Sequence, residues 1–120
     1  MKSKHLELRK LTQSFSGFGV VYAFSDSENI VYIGSTKSFY SRLISHNSLN
    51  DKNSLRSKSG KTIYDFNISV ITISEDLSTL KMLEQNAIDT YTYITGSKPR
   101  FNTANCYDGN KELYKYKDYL

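Results

Sequence analysis

The 120-residue sequence predicts a small α+β domain, in which a three-stranded antiparallel sheet is flanked by helices in the order β-β-α-β-α-α. Two short runs of β-branched and aromatic residues stand on either side of a polar turn, and a third such run lies downstream. Two further segments carry apolar residues at helical spacing. The chain contains one proline and neither an internal repeat nor a low-complexity block, so we predict a single domain over residues 1–120.

The first two strands are predicted to form a hairpin. Val20–Phe24 and Ile30–Ile33 are rich in β-branched and aromatic residues, and the Ser-Asp-Ser-Glu-Asn segment between them supplies turn chemistry. Tyr22 and Tyr32 would then lie on paired strands.

A helix is predicted to follow Gly34, whose small size favours a close approach between strand and helix. Either Ser35 or Ser38 could cap its first turn, and Ser35 could instead contact phosphate. Arg42 and His46 are four residues apart and share one face of this helix. The apolar positions recur at a spacing of three and four residues: Phe39, Tyr40, Leu43 and Ile44.

The segment Tyr64–Ile73 predicts the third strand. Its apolar residues alternate at Phe66, Ile68 and Val70 and then shift phase at Ile71. This pattern is typical of a central strand covered on both faces, or of a strand that carries a bulge.

A second amphipathic helix is predicted to end near Gly96, with Pro99 beyond it as a stop signal. Glu84 borders its apolar stripe, where an unpaired carboxylate would be costly. A short terminal helix is predicted over about residues 110–120 from the spacing of Leu113 and Leu120. The stripe of the second helix consists of Leu77, Leu80, Leu83, Ala87, Ile88 and Tyr91.

The charge distribution and the cysteine content indicate the kind of partner and the cellular compartment. The formal charge of +4 is concentrated in a basic N-terminal segment, residues 1–16, and in a Ser/Asn-rich stretch, residues 46–62. Both patches could meet phosphate, or serve only as solvated surface. A single cysteine, Cys106, predicts a reducing compartment, the cytoplasm, and the N-terminal residues lack the apolar run of a signal peptide or membrane span. The nucleic-acid-binding candidates are Lys37, Lys52, Arg56, Lys58 and Lys61.

The order of these residues resembles the GIY-YIG nuclease family, over a core from about residue 17 to residue 102. The second motif, Tyr32-Ile33-Gly34, is intact, whereas the first reads Val20-Val21-Tyr22, so that its glycine is missing. The ten-residue steps from Tyr22 to Tyr32 and from Tyr32 to Arg42 are similar to the spacing of the family. The remaining matching positions are His46, Glu84 and Asn102.

The resemblance implies a catalytic site for phosphodiester hydrolysis, which needs a base, a charge-stabilising cation and help for the leaving oxygen. The fork of Arg42 suits phosphate oxygens. Glu84 would be the single protein ligand of Mg²⁺ or Mn²⁺, whose other ligands would be water and substrate. Tyr22 is similar to the tyrosine proposed as general base in the family, with His46 as the rival base or a proton relay.

Two other candidate site residues have supporting roles in this interpretation. Tyr32 would orient water or phosphate, and Asn102 would hold either the region of the glutamate or the backbone of the site. We therefore expect a metal-dependent DNA endonuclease that nicks one strand at a time, as a monomer or a transient dimer on DNA. Its specificity for a DNA target would be low or would be supplied by a partner protein. The alternatives are a nucleic-acid-binding module that has lost catalysis, which the missing glycine favours, and a protein-interaction domain with a tyrosine-rich surface.

Overall fold

The computed structural model describes residues 2–102, and the predicted terminal helix over 110–120 lies outside them. The α+β class and the three-stranded antiparallel sheet are confirmed. Two helices, α1 and α3, were not predicted, and two short 3₁₀ turns precede β3 and α4. The elements in chain order are α1 (Lys2–Gln13), β1 (Gly19–Ser25), β2 (Ile30–Thr36), α2 (Phe39–His46), α3 (Leu55–Ser59), β3 (Asn67–Ser74) and α4 (Leu80–Thr95).

The hairpin strand β1 is the central strand, because the sheet order is β2-β1-β3. The prediction of a central third strand is therefore wrong: β3 lies at an edge, and alternate residues along it, including Ile71, are exposed. The predicted irregularity is confirmed, since the pairing of β1 with β3 shifts register between Val21 and Tyr22. In this register Tyr22 lies opposite Gly34 on one side and Val70 on the other.

Side chains of β1 alternate between two apolar layers, so that the sheet is covered on both faces. One layer contains Tyr22 and Phe24 and packs against the helices α1, α2 and α3. The other contains Val21 and Ala23, with Ile33 of β2, and packs against α4. The first layer places the α2 face that carries Arg42 and His46 over the hairpin.

Helix α1 packs on the core, although the sequence indicated only a basic segment there. Leu8 is buried in the first apolar layer and Thr12 is buried beside it. Lys4 Nζ donates to the carbonyl of Tyr64 at 3.0 Å, which ties the helix to the turn before β3. The packed core therefore begins earlier in the chain than residue 17.

The ends of α2 and α4 test the capping predictions. Ser38 precedes α2 but its side chain makes no capping hydrogen bond, and its own N–H donates to Thr36 Oγ1 at 2.9 Å. The prediction of a serine cap is therefore wrong, and the Ser35 hydroxyl has another partner, described below. Helix α4 ends at Gly96 as predicted, with the φ of +91° that favours glycine at a helix C-terminus.

Candidate active site

Tyr22 lies at the centre of the site, on the central strand, and is fully buried. Its hydroxyl is 2.8 Å from His46 Nε2. A Cβ atom at Gly34, on the neighbouring strand, would lie 2.6 Å from the same hydroxyl oxygen. The close approach that requires this glycine is thus to the ring of Tyr22, and not between strand and helix as predicted from the sequence.

His46 is held as a neutral imidazole with one possible tautomer. The backbone N–H of Leu55, the first residue of α3, donates to His46 Nδ1 at 3.0 Å, so Nδ1 carries no proton. The neutral ring must then carry its proton on Nε2 and donate it to the Tyr22 oxygen. Burial, and after it the positive charges of Arg42 and Lys58, lower the pKa of His46 to about 3. Both ring nitrogens are therefore engaged at neutral pH.

Arg42 brings a guanidinium group to the two tyrosines from α2, one turn before His46. Burial acts to lower the pKa of Arg42, but its interactions with Tyr22 and Tyr32 outweigh burial and raise that pKa. Its Nη1 atom also donates to Ser45 Oγ at 3.0 Å and lies 3.7 Å from a carboxylate oxygen of Asp51. About a third of the Arg42 side chain is exposed, 33%, so the group can be reached by an anion from solvent.

The charges around Tyr22 act in opposite directions on its ionisation. Burial raises the pKa of Tyr22 well above its ordinary value, and electrostatic interactions with Tyr32 and Glu84 act in the same direction. Arg42 opposes them by charge and by hydrogen bonding. Formation of the phenolate thus depends on positive charge in the site.

Tyr32 forms the outer wall of the site and is half-buried. Its ring centroid lies 4.9 Å from that of His46 and 6.4 Å from that of Tyr22. The ammonium nitrogen of Lys58 lies 5.6 Å from the Tyr32 ring centroid. The side chains of Tyr22, Tyr32, Arg42 and His46, which the sequence predicted as site residues, are brought together.

Glu84 reaches the site from the opposite layer, on α4, and is buried with a relative exposure of 7%. Its Oε1 atom accepts a hydrogen bond from Ser35 Oγ at 2.5 Å and lies 3.6 Å from Lys81 Nζ. Lys81 was not predicted as a site residue, and Ser35 was predicted only as a helix cap or a phosphate contact. Ser35 directly follows the Tyr-Ile-Gly motif, which is the sequence signal that could have identified it.

The donor set at Glu84 fits a hard cation with few protein ligands. A carboxylate and a neighbouring hydroxyl are oxygen donors of the kind that Mg²⁺ prefers. Among residues 2–102 there is no group of three or more His, Cys, Asp or Glu side chains that could hold a metal. A metal at Glu84 would therefore take most of its ligands from water and substrate.

Asn102 clamps the backbone of β2, which was one of its two predicted roles. Its Oδ1 atom accepts from the N–H of Ile33 and its Nδ2 atom donates to the carbonyl of Ile33, both at 2.8 Å. The preceding residue, Phe101, donates its N–H to the carbonyl of Val31 at 2.9 Å. These bonds hold the strand that carries Tyr32 and Gly34.

The basic candidates differ in their surroundings. Lys37 lines a cavity of about 350 Å³ between α1 and α2, together with Arg9. Lys52 and Lys61 are exposed, whereas Arg56 Nη1 donates to the carbonyl of Asn47 at 3.1 Å. Lys58 differs from all of these because it points toward the tyrosines.

The family assignment rests on this geometry and on a direct comparison. The model of the GIY-YIG catalytic domain matches residues 18–97, two thirds of the chain. The chain belongs to the GIY-YIG family. Searches of curated proteins and of solved structures returned no significant match.

Membership of the GIY-YIG family indicates a nuclease, whose substrate is nucleic acid. Two features of this member lie outside the matched residues, namely helix α1 and the clamp at Asn102. Val20, which replaces the first glycine of the family motif, is fully buried in the apolar layer with Tyr22. None of the helices among residues 2–102 is both long and apolar enough to cross a membrane.

Proposed function

We propose that this GIY-YIG protein is a divalent-metal-dependent DNA endonuclease that hydrolyses phosphodiester bonds and nicks one strand at a time. The observation that carries the proposal is the cluster of Tyr22, Tyr32 and His46, whose Tyr22 hydroxyl is 2.8 Å from His46 Nε2. The charges of Arg42 and Glu84 both act on the same Tyr22 hydroxyl. A cation, a potential base and a metal ligand then surround one position for a phosphate.

Tyr22 acts as the general base in this proposal, and His46 supports it. His46 has no free lone pair for a water proton, because Nδ1 accepts from Leu55 and Nε2 donates to Tyr22. The Tyr22 oxygen accepts that N–H and a bond from Arg42, so both neighbours stabilise the phenolate. Once Tyr22 has lost its own proton, it can take a proton from the attacking water.

Arg42 positions the phosphate and stabilises the negative charge that grows on it, since its fork matches two phosphate oxygens. Glu84, oriented by Ser35, would hold Mg²⁺ or Mn²⁺. When bound, the metal supplies positive charge for the phosphate and the leaving oxygen. The exposed cations Lys37, Lys52 and Lys61, with Arg56, would contact the backbone of DNA outside the site.

A second candidate function is a nucleic-acid-binding module that does not cleave. The observation that favours it is the burial of Tyr22, which raises the pKa of the proposed base well above its ordinary value. The plasmid experiment described next distinguishes this function from the endonuclease function.

The experiment is a cleavage time course on supercoiled plasmid with Mg²⁺ or with EDTA, at several protein concentrations. The wild-type protein should convert the plasmid to open circles first and to linear DNA later, because one Arg42 and one Glu84 per chain serve one phosphate at a time. Glu84→Gln should abolish cleavage and leave DNA binding and the melting temperature close to wild type. Glu75→Gln, at an exposed position, is the matched control and should cleave normally.

Each of the following outcomes would contradict part of the proposal. Cleavage by Glu84→Gln at the wild-type rate, or undiminished cleavage in EDTA, would refute the metal assignment. Direct formation of linear plasmid at limiting protein would show a pre-assembled dimer. Binding without cleavage by the wild-type protein would favour the second candidate function.

A further inference from the structure

The cavity of about 350 Å³ between α1 and α2 is lined by two cations that are far apart in the sequence. Arg9 lies on α1, and Lys37 lies two residues before the start of α2. Helix α1 precedes the residues that match the family model, whereas α2 lies within them. The cavity is therefore built jointly by the family core and by a helix outside it.

Aromatic packing joins the two walls of this cavity. Phe15 and Phe39 both line it, and their rings meet edge to face with centroids 6.2 Å apart. Phe39 is buried in the same apolar layer as Leu8 of α1. The guanidinium carbon of Arg9 lies 5.4 Å from the centroid of the Tyr40 ring, a cation–π contact that holds the Arg9 head group against α2.

The cavity carries positive charge, because none of the described residues that line it is an aspartate or a glutamate. The one acidic residue of α1, Glu7, lines a different groove, next to Tyr64. Neither Arg9 nor Lys37 forms an ion pair with a residue in the part of the chain that the structure describes. Two positive side chains without a carboxylate among their neighbours in the cavity favour an anion there.

Uncharged hydrogen-bond donors accompany the two cations. Ser16, Ser38 and Ser41 line the cavity, and their hydroxyl groups make no hydrogen bond with another residue among those described. Hydroxyl groups can donate to phosphate oxygens, and a guanidinium group can donate to two of them at once. The volume has room for a phosphate group and several water molecules. These donors fit an oxyanion.

The cavity lies one helical turn from the residue proposed above to position the scissile phosphate. The backbone N–H of Arg42 donates to the carbonyl of Ser38 at 2.9 Å, so the two residues are about 5.4 Å apart along the axis of α2. Successive phosphates of one DNA strand are about 3.4 Å apart along the axis of the duplex. A DNA strand held at Arg42 would thus bring a phosphate one or two nucleotides away to the cavity.

We propose that the α1–α2 cavity binds a backbone phosphate of the DNA substrate close to the scissile one, with Arg9 and Lys37 as its cations. The proposal rests on the endonuclease function proposed above and adds a phosphate site separate from the catalytic one. It assigns a role to Arg9, which was not among the nucleic-acid-binding candidates, and joins it with Lys37 in a single contact. Helix α1 then fixes the position of the DNA backbone relative to Arg42.

The first test is the salt dependence of binding to a short DNA duplex, measured by fluorescence anisotropy in EDTA, where a metal-dependent nuclease does not cleave. The double variant Arg9→Gln, Lys37→Gln should bind at least about fivefold more weakly than wild type. The slope of log K against log salt concentration should become shallower by about one, as expected for loss of one phosphate contact. Lys10→Gln is the matched control: it removes a charge from the same helix outside the cavity and should bind within about twofold of wild type.

An unchanged slope in the double variant, or an equal loss of affinity in Lys10→Gln, would refute the site. Because Arg9 also packs on Tyr40, thermal melting checks the fold, and Ser16→Asp adds a negative charge to the cavity without removing either cation. Ser16→Asp should weaken DNA binding more than Ser14→Asp, which makes the same change in charge at an exposed position outside the cavity. Equal effects of the two aspartates would show that only the overall charge matters and would overturn the proposal.

The second test depends on neither DNA nor cleavage. Inorganic phosphate is titrated into the ¹⁵N-labelled protein, and the amide signals of Gly17 and Ser41, which line the cavity, report its binding. The phosphate-dependent shifts of these signals should be lost in the double variant and retained in Lys10→Gln. Equal phosphate affinity at these signals in the double variant and in wild type would refute the site. Binding of phosphate and DNA at the cavity by a wild-type protein that never cleaves plasmid would support the site and refute the endonuclease function.

Discussion

Acidification should destabilise this protein mainly through His46. In the native state the imidazole is neutral, because Leu55 donates to Nδ1 and burial disfavours the charged ring. Its pKa is about 3 in the folded protein, against about 6.5 in the unfolded chain. Below pH 6.5 the unfolded state therefore binds more protons, and the stability present at neutral pH is lost as the pH falls.

The size of the effect follows from these two values. Between pH 7.5 and pH 5 the unfolded histidine becomes almost fully protonated while native His46 stays neutral, which costs about 2 kcal/mol of unfolding free energy. The positive charges of Arg42 and Lys58 add to the free-energy cost of protonating the His46 ring, and the negative charge of Asp51 reduces that cost slightly.

The assay is equilibrium urea unfolding of the wild-type protein and of His46→Gln at both pH values. The variant should be less stable at pH 7.5, because it loses the ring packing, but its unfolding free energy should change less with pH by about 2 kcal/mol. The other ionisable groups are the same in both proteins, so their contributions cancel in the comparison. Parallel pH dependences, within about 0.5 kcal/mol, would refute the assignment of a neutral, doubly engaged imidazole.

Two further substitutions test the centre of the site. Tyr22→Phe keeps the ring but removes the hydroxyl, so plasmid cleavage should stop while DNA affinity stays within about twofold of wild type. The His46 N–H would lose its acceptor, which should lower the free energy of unfolding by about 1–3 kcal/mol. Cleavage within about tenfold of the wild-type rate would exclude Tyr22 as the base. Gly34→Ala places a Cβ atom 2.6 Å from the Tyr22 oxygen and 2.8 Å from the Tyr32 ring, so urea unfolding should show a loss of about 1–3 kcal/mol together with reduced cleavage. An alanine variant with wild-type stability and rate would show that the two rings can move apart freely.

The fold was predictable where the signal is local. The hairpin and α4 follow from short-range alternation and helical spacing, and both are found. The order of the strands depends on pairing between distant residues, so the edge position of β3 could not be derived from its own apolar residues. Helix α1 has a weak apolar face, in which Leu8 is buried but Leu6 is 57% exposed, and the sequence therefore showed only its charge.

The site was predictable for residues that belong to a motif and not for those that a loop brings in. Tyr22, Tyr32 and Arg42 lie at regular spacing on predicted elements, and the structure brings them together. The inward position of Lys58 and the contact of Asp51 with Arg42 depend on the path of residues 47–62. That stretch is polar and has no periodic pattern of apolar residues, so its sequence gave no indication of which charged side chain points inward.

The clamp at Asn102 also determines when the site can form during folding. The β1–β2 hairpin closes between residues about ten positions apart, whereas Asn102 reaches Ile33 across 69 positions of the chain. Closing so long a loop is a costly, non-local step, so the tyrosines on the hairpin can pair before the outer side of β2 is fixed. A chain still emerging from the ribosome would hold the motif residues of the hairpin and α2 without their final geometry until Asn102 is free to dock. Completion of the site is thereby tied to synthesis of the whole matched domain and the residues just beyond it.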